Sequence, residues 1–201
     1  YFGAGTNNTI FSAKIKKKSG KMTYEEVKKE YKSLNAISSL AVDYVKDDND
    51  VEKLDIAYAM DDDGDFSTRD VHVYENGKRV SSQTKAEYRP SYLNHTLYWY
   101  SNNRIVDKNG TIKDGKIATS GYQLIKIGSK KAVVYTKTKG MKNGLYLSYL
   151  NEKDHVWENP VKISDSKKYI GSFSVNVTPE STLSVLINSA KVKDQYDTNQ
   201  G

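Results

Sequence analysis

An acidic turn in the first half of the chain has the residue types and the spacing to bind a metal ion. In the stretch "MDDDGDFSTRD", Asp61, Asp63 and Asp65 occupy alternate positions, and Gly64 permits a sharp turn. Carboxylate oxygens at this spacing can wrap around calcium. The stretch is not an EF-hand, because the twelfth position counted from Asp61 is His72 instead of Glu. We predict either a calcium site or a solvated turn in which Asp and Gly serve the backbone.

The most aromatic stretch, "SYLNHTLYWYSNN", has the residues to bind a ligand by stacking. Alternation along a strand places Tyr98 and Tyr100 on one face and Trp99 on the other. Exposed aromatic rings stack well on sugars and peptides. The candidate ligand-binding residues are therefore Tyr92, Tyr98 and Tyr100, together with the nearby Arg89. Packing in the interior is the competing interpretation, and it is the favoured one for both tryptophans of the chain.

Other chemistry has little support in the sequence. The histidines His72, His95 and His155 are too scattered for a local metal motif, and each is more simply a hydrogen-bonded or solvated imidazole. The chain has no cysteine, which excludes zinc fingers, iron–sulfur sites, disulfides and thiol nucleophiles. Neither a Gly-x-Ser-x-Gly elbow nor a glycine-rich phosphate loop occurs. We predict no catalytic residue, and no cofactor besides calcium.

The charge balance favours some partners over others. The net charge is +6, and only four of the basic residues are arginines. This charge permits attraction to anionic partners such as acidic glycans or cell-wall polymers, but specific nucleic-acid recognition favours the planar fork of Arg. We therefore predict no nucleic-acid partner. No apolar run approaches the roughly 18 residues of a membrane-spanning helix, so no membrane span is predicted.

Short strands joined by polar turns must position these residues. Apolar and aromatic residues recur in runs such as "EKLDIAYAM" and "KKAVVYTKT", which is the pattern of half-buried strands. The Asn76-Gly77 pair is a strong hairpin signal. An order of four strands repeats, in blocks near residues 37–84, 85–119 and 120–165 and a partial block near 170–190. Residues 7–30 predict one more hairpin, equivalent to the last two strands of a block.

Repeated units of four antiparallel strands predict an all-β fold, most simply the blades of a β-propeller or of a fragment of one. A β-sandwich has similar strand spacing and is the alternative. We treat residues 1–201 as one domain. The leading and trailing hairpins either close a four-bladed ring or belong to a larger chain, and the ends "YFGAG" and "DTNQG" favour the larger chain. A helix over Met22–Leu34, with Thr23 and Glu26 as a capping box, competes with the leading hairpin.

One hairpin resembles that of a known family. The stretch "LYLSYLNEKDHVWENPVKIS" is similar to the Asp-box hairpin of sialidase-like propellers, although the Asp is displaced and the family's Gly is missing. The runs "LDIAYAMDDDGDF" and "ISSLAVDY" are similar to strands of bacterial exported propellers. The resemblance implies a bacterial protein, extracellular or at the cell surface, with a propeller fold. The matching residues of the hairpin are Ser148, Asp154, Trp157, Pro160, Val161 and Ile163.

Few residues of the chain match the catalytic residues of this family. In sialidases, three arginines hold the substrate carboxylate, a Tyr–Glu pair acts as the nucleophile, and an Asp is the acid/base. Here only Arg89, in "YRPS", stands in a context similar to the family's. Fold alone does not fix function. We predict a non-catalytic extracellular recognition or scaffold domain that binds glycan or protein at a rim of loops, with a fragment of a sialidase-like glycoside hydrolase as the alternative.

Overall fold

The computed structural model describes residues 2–3, 8–46, 49–64, 70–81, 85–113, 121–136, 144–164 and 169–190. Regular structure in these ranges consists of strands, and they contain no helix, so the all-β prediction is confirmed. The strands are β1 (Phe2–Gly3), β2 (Thr9–Lys18), β3 (Lys21–Lys32), β4 (Ile37–Lys46), β5 (Glu52–Asp61), β6 (Val71–Glu75), β7 (Lys78–Arg79), β8 (Glu87–Leu93), β9 (Thr96–Ser101), β10 (Arg104–Asp107), β11 (Gly110–Thr111), β12 (Tyr122–Ile127), β13 (Lys130–Thr136), β14 (Leu145–Asn151), β15 (Val156–Trp157), β16 (Val161–Lys162), β17 (Tyr169–Val177) and β18 (Leu183–Ala190).

The strands form several small antiparallel sheets whose members follow one another in sequence. One sheet contains β1, β2 and β3; the next contains β4 to β7; a third contains β8 to β11. A fourth contains β12 to β16, with β14 pairing with both β15 and β16, and β17 pairs with β18. The last four sheets lie in the blocks that the sequence repeats mark out. That the sheets are the blades of a propeller stays a prediction.

The predicted hairpin turn at Asn76-Gly77 joins β6 to β7. Both residues have positive φ, 49° and 82°, as the tightest hairpin turns require. The Asn76 side chain also binds the neighbouring strand β5. Its Oδ1 accepts a hydrogen bond from the Ile56 amide at 2.9 Å, and its Nδ2 donates to Asp55 Oδ1 at 2.8 Å. Backbone preference and side-chain hydrogen bonds therefore favour the same turn.

The helix alternative over Met22–Leu34 is wrong, because β3 occupies most of that range. β3 pairs antiparallel with β2 along the length of the hairpin. The many Lys and Glu residues of this stretch favour a helix, but such propensity is a weak prior that tertiary pairing overrides. Glu26, half of the expected capping box, has φ 51° and lies at a shift in the strand register.

The chain divides into two compact units. The first unit comprises Tyr1–Ser91 and Trp99–Asn102. Its interior contains Ile10, Ile56, Tyr58 and Met60. The Tyr58 ring is fully buried, and its centroid lies 5.0 Å from the centroid of Tyr31 and 5.4 Å from that of Tyr74. Since aromatic pairs at these distances stabilise a core beyond simple burial, the leading hairpin, which carries Ile10 and Tyr31, is fixed at its base.

The second unit comprises Tyr92–Tyr98 and Asn103–Gly201. Two apolar clusters form its interior. One surrounds Trp157 and includes Tyr98 and Val133, and the other includes Leu145 and Ile170 and packs against β17 and β18. Both faces of β13 are buried from Ala132 to Thr136. Because successive side chains point to opposite faces, Val133 enters one cluster and Val134 the other.

Candidate functional site

A groove of 630 Å³ opens in the first unit. Residues 12–14 of β2 and residues 26–28 and 30 of β3 form one wall, and Tyr44 of β4 and residues 52–54 of β5 form the other. A volume of this size lies within the range of about 300 to 1,000 Å³ that is usual for small-ligand sites. Sequence reasoning missed this groove, because its walls come from four different strands.

The base of the leading hairpin holds one wall of the groove in place. Ile10 is only 3% exposed and packs against the core of the first unit. At the end of the hairpin, the Ser33 amide and hydroxyl both donate to the Asn8 carbonyl, at 2.8 and 3.1 Å. The start of β2 and the end of β3 are therefore both held in place. These contacts position the groove-lining residues of the two strands.

Charges inside the groove balance one another. Its lining contains three lysines and three glutamates. Lys14 Nζ lies 2.6 Å from Glu26 Oε2, and Lys28 Nζ lies 2.9 Å from Glu30 Oε2. Lys53 Nζ lies 3.0 Å from the carboxylate of Asp55, just outside the lining. The groove therefore offers both donors and acceptors without a net charge.

Glu30 is the most buried of the three glutamates that line the groove. Its side chain is 14% exposed. Ser12 Oγ donates to its Oε1 at 2.5 Å, and this hydrogen bond, with the nearby Lys28 ammonium, lowers the pKa of Glu30 below its ordinary value. Lys14 likewise lowers the pKa of Glu26, chiefly through their hydrogen bond. Both groups are ionised acceptors at neutral pH.

Tyr44 supplies the aromatic surface of the groove. It lies opposite Leu54 in the β4–β5 pairing, two positions beyond the pair of half-buried Val42 and buried Ile56. Tyr44 is 61% exposed. Strand alternation places it on the face of the sheet that packs inward nearer the middle of β4. The only sequence signal for an accessible ring was its position close to the end of a strand, next to a polar turn.

Asp61, the first of the predicted metal-binding residues, is the last residue of β5. Asp61 is fully buried, and its Oδ1 accepts a hydrogen bond from the Gly64 amide at 2.7 Å. Asn35 Nδ2 donates to the carbonyls of Asp61 and Asp62, at 3.0 and 2.8 Å. In the part of the chain that the structure describes, Asp61 Oδ2 has no hydrogen-bond partner. Burial, and then the neighbouring Asp63, raise the pKa of Asp61.

Calcium binding at this turn stays a prediction. Of the three predicted ligands, Asp65 lies outside the described residues. Among the residues that are described, no group of three or more acidic or His side chains is placed to hold a metal ion. The contacts of Asp61 and Asn35 correspond to the alternative reading of the sequence, in which the acidic residues shape the turn.

The predicted ligand-binding residues differ strongly in exposure. Tyr98 and Tyr100 are only 1% and 6% exposed, whereas Arg89 is exposed and Tyr92 is half-buried. Tyr98 belongs to the core of the second unit, and burial raises the pKa of its phenol. A ligand at Tyr98 or Tyr100 would have to reach rings that the protein already covers. The ligand-binding role of the four residues stays a prediction.

Both tryptophans are buried, as predicted. Trp99 is 3% exposed and Trp157 is 4% exposed. In the first unit, Trp99 Nε1 donates to Glu87 Oε1 at 2.9 Å. In the second unit, the hairpin that resembles an Asp-box places Trp157 opposite Leu150 in the strand pairing, and Ser148 Oγ donates to the Glu158 carbonyl.

A buried polar network in the first unit was not predicted. The fully buried Glu87 binds Trp99 through one oxygen, and its Oε2 lies 3.3 Å from His72 Nδ1. Arg79 Nη2 lies 3.1 Å from the same His72 nitrogen. Since an unpaired buried carboxylate is costly, these partners explain how Glu87 is tolerated. His72 is thus a hydrogen-bonded structural histidine, one of the two readings that the sequence left open.

The same network extends toward the surface through Asp62. Arg79 Nη1 lies 3.2 Å from Asp62 Oδ2, and Arg79 Nε donates to the Ser81 carbonyl at 3.0 Å. The Tyr74 hydroxyl donates to Asp62 Oδ1 at 2.7 Å. Burial, together with this hydrogen bond, raises the pKa of Tyr74 to about 12. The guanidinium of Arg79 is therefore already engaged by protein groups.

No family model matches the chain, and neither a curated protein nor a solved structure matches it. The resemblance to sialidase-like propellers consequently stays a prediction. Within the ranges that the structure describes, no helix has the length and hydrophobicity needed to cross a membrane.

Proposed function

We propose that the chain is a non-catalytic recognition module, built of propeller-type blades, that binds a neutral glycan in the groove of the first unit. The observation that carries this proposal is the combination of an exposed Tyr44 ring with balanced donors and acceptors on the opposite wall. Binding sites for small polar ligands typically combine a few placed polar groups with aromatic surface.

A sugar matches this combination of groups. The flat and exposed ring of Tyr44 offers a surface for the C–H face of a pyranose. On the opposite wall, Glu26 and Glu30 can accept hydrogen bonds from sugar hydroxyls, while Lys14 and Lys28 can donate to them. Each of these four groups is held in an ion pair or hydrogen bond that fixes its position.

The charge of the groove favours a neutral ligand over an acidic one. Its lysines and glutamates are equal in number, and Lys14 and Lys28 are paired with carboxylates at 2.6 and 2.9 Å. An acidic sugar would have to break these pairs or approach the glutamates. Like-charge contacts of this kind are a common means of rejecting the wrong ligand.

Two observations favour binding without catalysis. A glycoside hydrolase needs one carboxyl group whose pKa is raised so that it can act as a general acid. In the groove, the pKa values of Glu26 and Glu30 are lowered instead. The alternative of a sialidase-like hydrolase also requires arginines around the substrate carboxylate, and among the described residues no arginine lines the groove.

The blade-like sheets support the proposed architecture. β4 to β7 and β8 to β11 are successive four-stranded meanders, and a four-stranded meander is the repeating unit of a propeller. An extracellular or cell-surface location and a bacterial source, both implied by the resemblance of the hairpin around Trp157, would suit a glycan-binding role. These parts of the proposal rest on analogy and on the sheet pattern.

An array of immobilised oligosaccharides, with neutral, sialylated and uronic-acid members, tests the proposal. We expect the chain to bind neutral members, and we expect Tyr44→Ala to weaken that binding about two- to tenfold, because stacking on an aromatic ring contributes about 0.5 to 1.5 kcal/mol. Tyr24→Ala is the matched control, since Tyr24 is 68% exposed on β3, which forms part of the other wall, but lies outside the groove lining. It should bind as the unmodified chain does.

Three results would contradict the proposal. They are an absence of binding to all members, binding confined to acidic members, and equal losses in the Tyr44→Ala and Tyr24→Ala variants. Circular dichroism of each variant separates a loss of the binding site from a loss of the fold. Hydrolysis of a bound oligosaccharide would contradict the non-catalytic part of the proposal.

A further inference from the structure

The positive charge of the chain is concentrated in the leading hairpin. Residues 14–32 carry eight lysines and three glutamates, a net charge of +5 out of +6 for the whole chain. Lys14 and Lys16 have carboxylate partners in Glu26 and Glu25. Among the described residues, Lys17, Lys18 and Lys21 form no salt bridge. The excess charge is thus available at the end of the hairpin that carries its turn.

That end of the hairpin extends away from the core. Burial along β2 falls from a buried Ile10 near its start to fully exposed residues toward its end. Every residue from 14 to 24 is exposed. We call residues 15–24 the hairpin tip. Its turn is formed by Ser19 and Gly20, both of which have positive φ.

One face of the hairpin tip carries three large apolar residues that are exposed. Ile15 lies directly opposite Tyr24, and Lys17 lies opposite Met22. Alternation therefore places Ile15, Met22 and Tyr24 together on one face, which they share with Lys17. Their residues are 57%, 68% and 64% exposed. A sheet face that exposes neighbouring large apolar residues usually marks an interaction surface.

We propose that the hairpin tip docks on the surface of an anionic phospholipid bilayer. Ile15, Met22 and Tyr24 enter the interface between headgroups and acyl chains, where Tyr is a favoured residue. Lys17 lies on the same face, and Lys18 and Lys21 form the last strand pair before the turn, on the opposite face. The flexible stems of these lysines let their ammonium groups reach lipid phosphates. Interfacial binding of this kind combines buried apolar area with attraction to anionic lipid.

The apolar face favours a bilayer over a soluble polyanion. A nucleic acid or an acidic cell-wall polymer would be attracted by the lysines, but it would leave Ile15 and Met22 in water. Of these three partners, a bilayer is the one that satisfies both the charge and the apolar side chains. This inference concerns a surface separate from the glycan groove, whose lining does not include any residue of the hairpin tip.

Sedimentation with large unilamellar vesicles tests the proposal on the full chain. The probes are vesicles of phosphatidylcholine alone and of phosphatidylcholine mixed with phosphatidylglycerol. We expect binding to the mixed vesicles only, and we expect it to weaken as salt is added, because salt screens the lysines. Replacing Lys17, Lys18 and Lys21 by Gln should weaken binding on the order of a hundredfold, at about fivefold per lysine.

Two further variants make the test specific. Replacing Lys108, Lys126 and Lys153 by Gln removes the same charge from exposed positions of the second unit, and this control should keep nearly full binding. Ile15→Ser combined with Met22→Ser should lose vesicle binding while still binding an immobilised soluble polyanion such as dextran sulfate. Equal losses in the two lysine variants would overturn the assignment to the hairpin tip.

Tyr24→Trp provides a direct reporter of insertion. The two natural tryptophans are 3% and 4% exposed, so a Trp at position 24 would be the accessible one. Its fluorescence should shift to shorter wavelength when mixed vesicles are added. Vesicle binding without this shift, or full vesicle binding by the Ile15→Ser and Met22→Ser variant, would mean attraction to a polyanion only and would overturn the proposal. An absence of vesicle binding would also overturn it.

Discussion

Two carboxylates of the first unit, Glu30 and Asp61, occupy opposite environments. Glu30 accepts a hydrogen bond from Ser12 and lies beside Lys28, and both contacts lower its pKa. Asp61 is fully buried next to Asp63, and its pKa is raised. The pKa of such a carboxylate depends on its burial and on its neighbours in the folded chain. The sequence predicted the acidic turn around Asp61 but could not predict which of its oxygens would be buried.

Asp61→Asn should stabilise the protein at neutral pH. Asn keeps an oxygen that can accept from the Gly64 amide and removes a buried charge next to Asp63. The pKa of Asp61 is raised in the folded state. The contribution of Asp61 to the free energy of unfolding is therefore complete below its unfolded pKa, where the carboxyl is protonated, and is lost as the pH rises through the folded pKa. The advantage of the variant in thermal unfolding should therefore appear at neutral pH and disappear in acid.

Asp50→Asn is the control for this substitution. Asp50 is exposed and has φ 61°, a backbone conformation that Asn tolerates, so the same loss of charge should have little effect there. A lower melting temperature for Asp61→Asn at neutral pH would contradict the expectation. Repeating the scan with calcium also tests the predicted metal site, since calcium binding would raise the melting temperature of the unmodified chain but not that of Asp61→Asn.

At the scale of elements, local turn chemistry was predictable and the hairpin strand was less so. Asn76-Gly77 forms the expected turn because its backbone preference is intrinsic to the two residues. β3 contains Lys and Glu in numbers that also suit a helix, and only pairing with β2 decides between the two. Tyr44 shows the same limit, because its exposure depends on where the core ends along β4.

A matched pair of glycines tests the role of one turn. Gly77 has φ 82°, and a Cβ there would lie 2.8 Å from Tyr31 Cε2; Gly20 has φ 79°, and a Cβ there would have no neighbour within 4 Å. Ala at either position has backbone strain of about 1 kcal/mol. Gly77→Ala should cost about 1 to 3 kcal/mol more, because Tyr31 must move out of its contact with Tyr58.

Urea unfolding of the two variants measures this difference. The strain at the turn is common to both, so the excess loss in Gly77→Ala reports the packing of Tyr31 on the β6–β7 turn. Equal losses of stability in Gly77→Ala and Gly20→Ala would show that Tyr31 does not fix the hairpin base. The rigid wall assigned to the groove would then be in doubt as well.

At the scale of the whole molecule, the strand order was predictable and the binding surfaces were not. Alternating apolar runs and polar turns predicted successive antiparallel strands, because this pattern is local. The groove is lined by residues of four strands, from Ser12 of β2 to Leu54 of β5, which no local pattern could reveal. The predicted ligand-binding residues Tyr98 and Tyr100 were chosen for their aromatic character, and the structure covers both rings.

The charge distribution gives the molecule two different surfaces within the first unit. The groove is neutral, with lysines and glutamates paired, whereas the hairpin tip is strongly basic and has an apolar face. A glycan-binding groove and a lipid-binding tip can therefore be separated by mutation. Tyr44→Ala should affect only the first, and the Lys17, Lys18 and Lys21 substitutions only the second.

The most direct test of the glycan groove is the pattern of amide chemical shifts when the ¹⁵N-labelled chain is titrated with a mixture of neutral oligosaccharides. We expect the perturbed amides to cluster around Ser12, Glu30, Tyr44 and Leu54. Shifts confined to residues 89–100, where the sequence predicted ligand-binding aromatics, would contradict the assignment of the groove. An absence of shifts with every neutral oligosaccharide would contradict the proposed function itself.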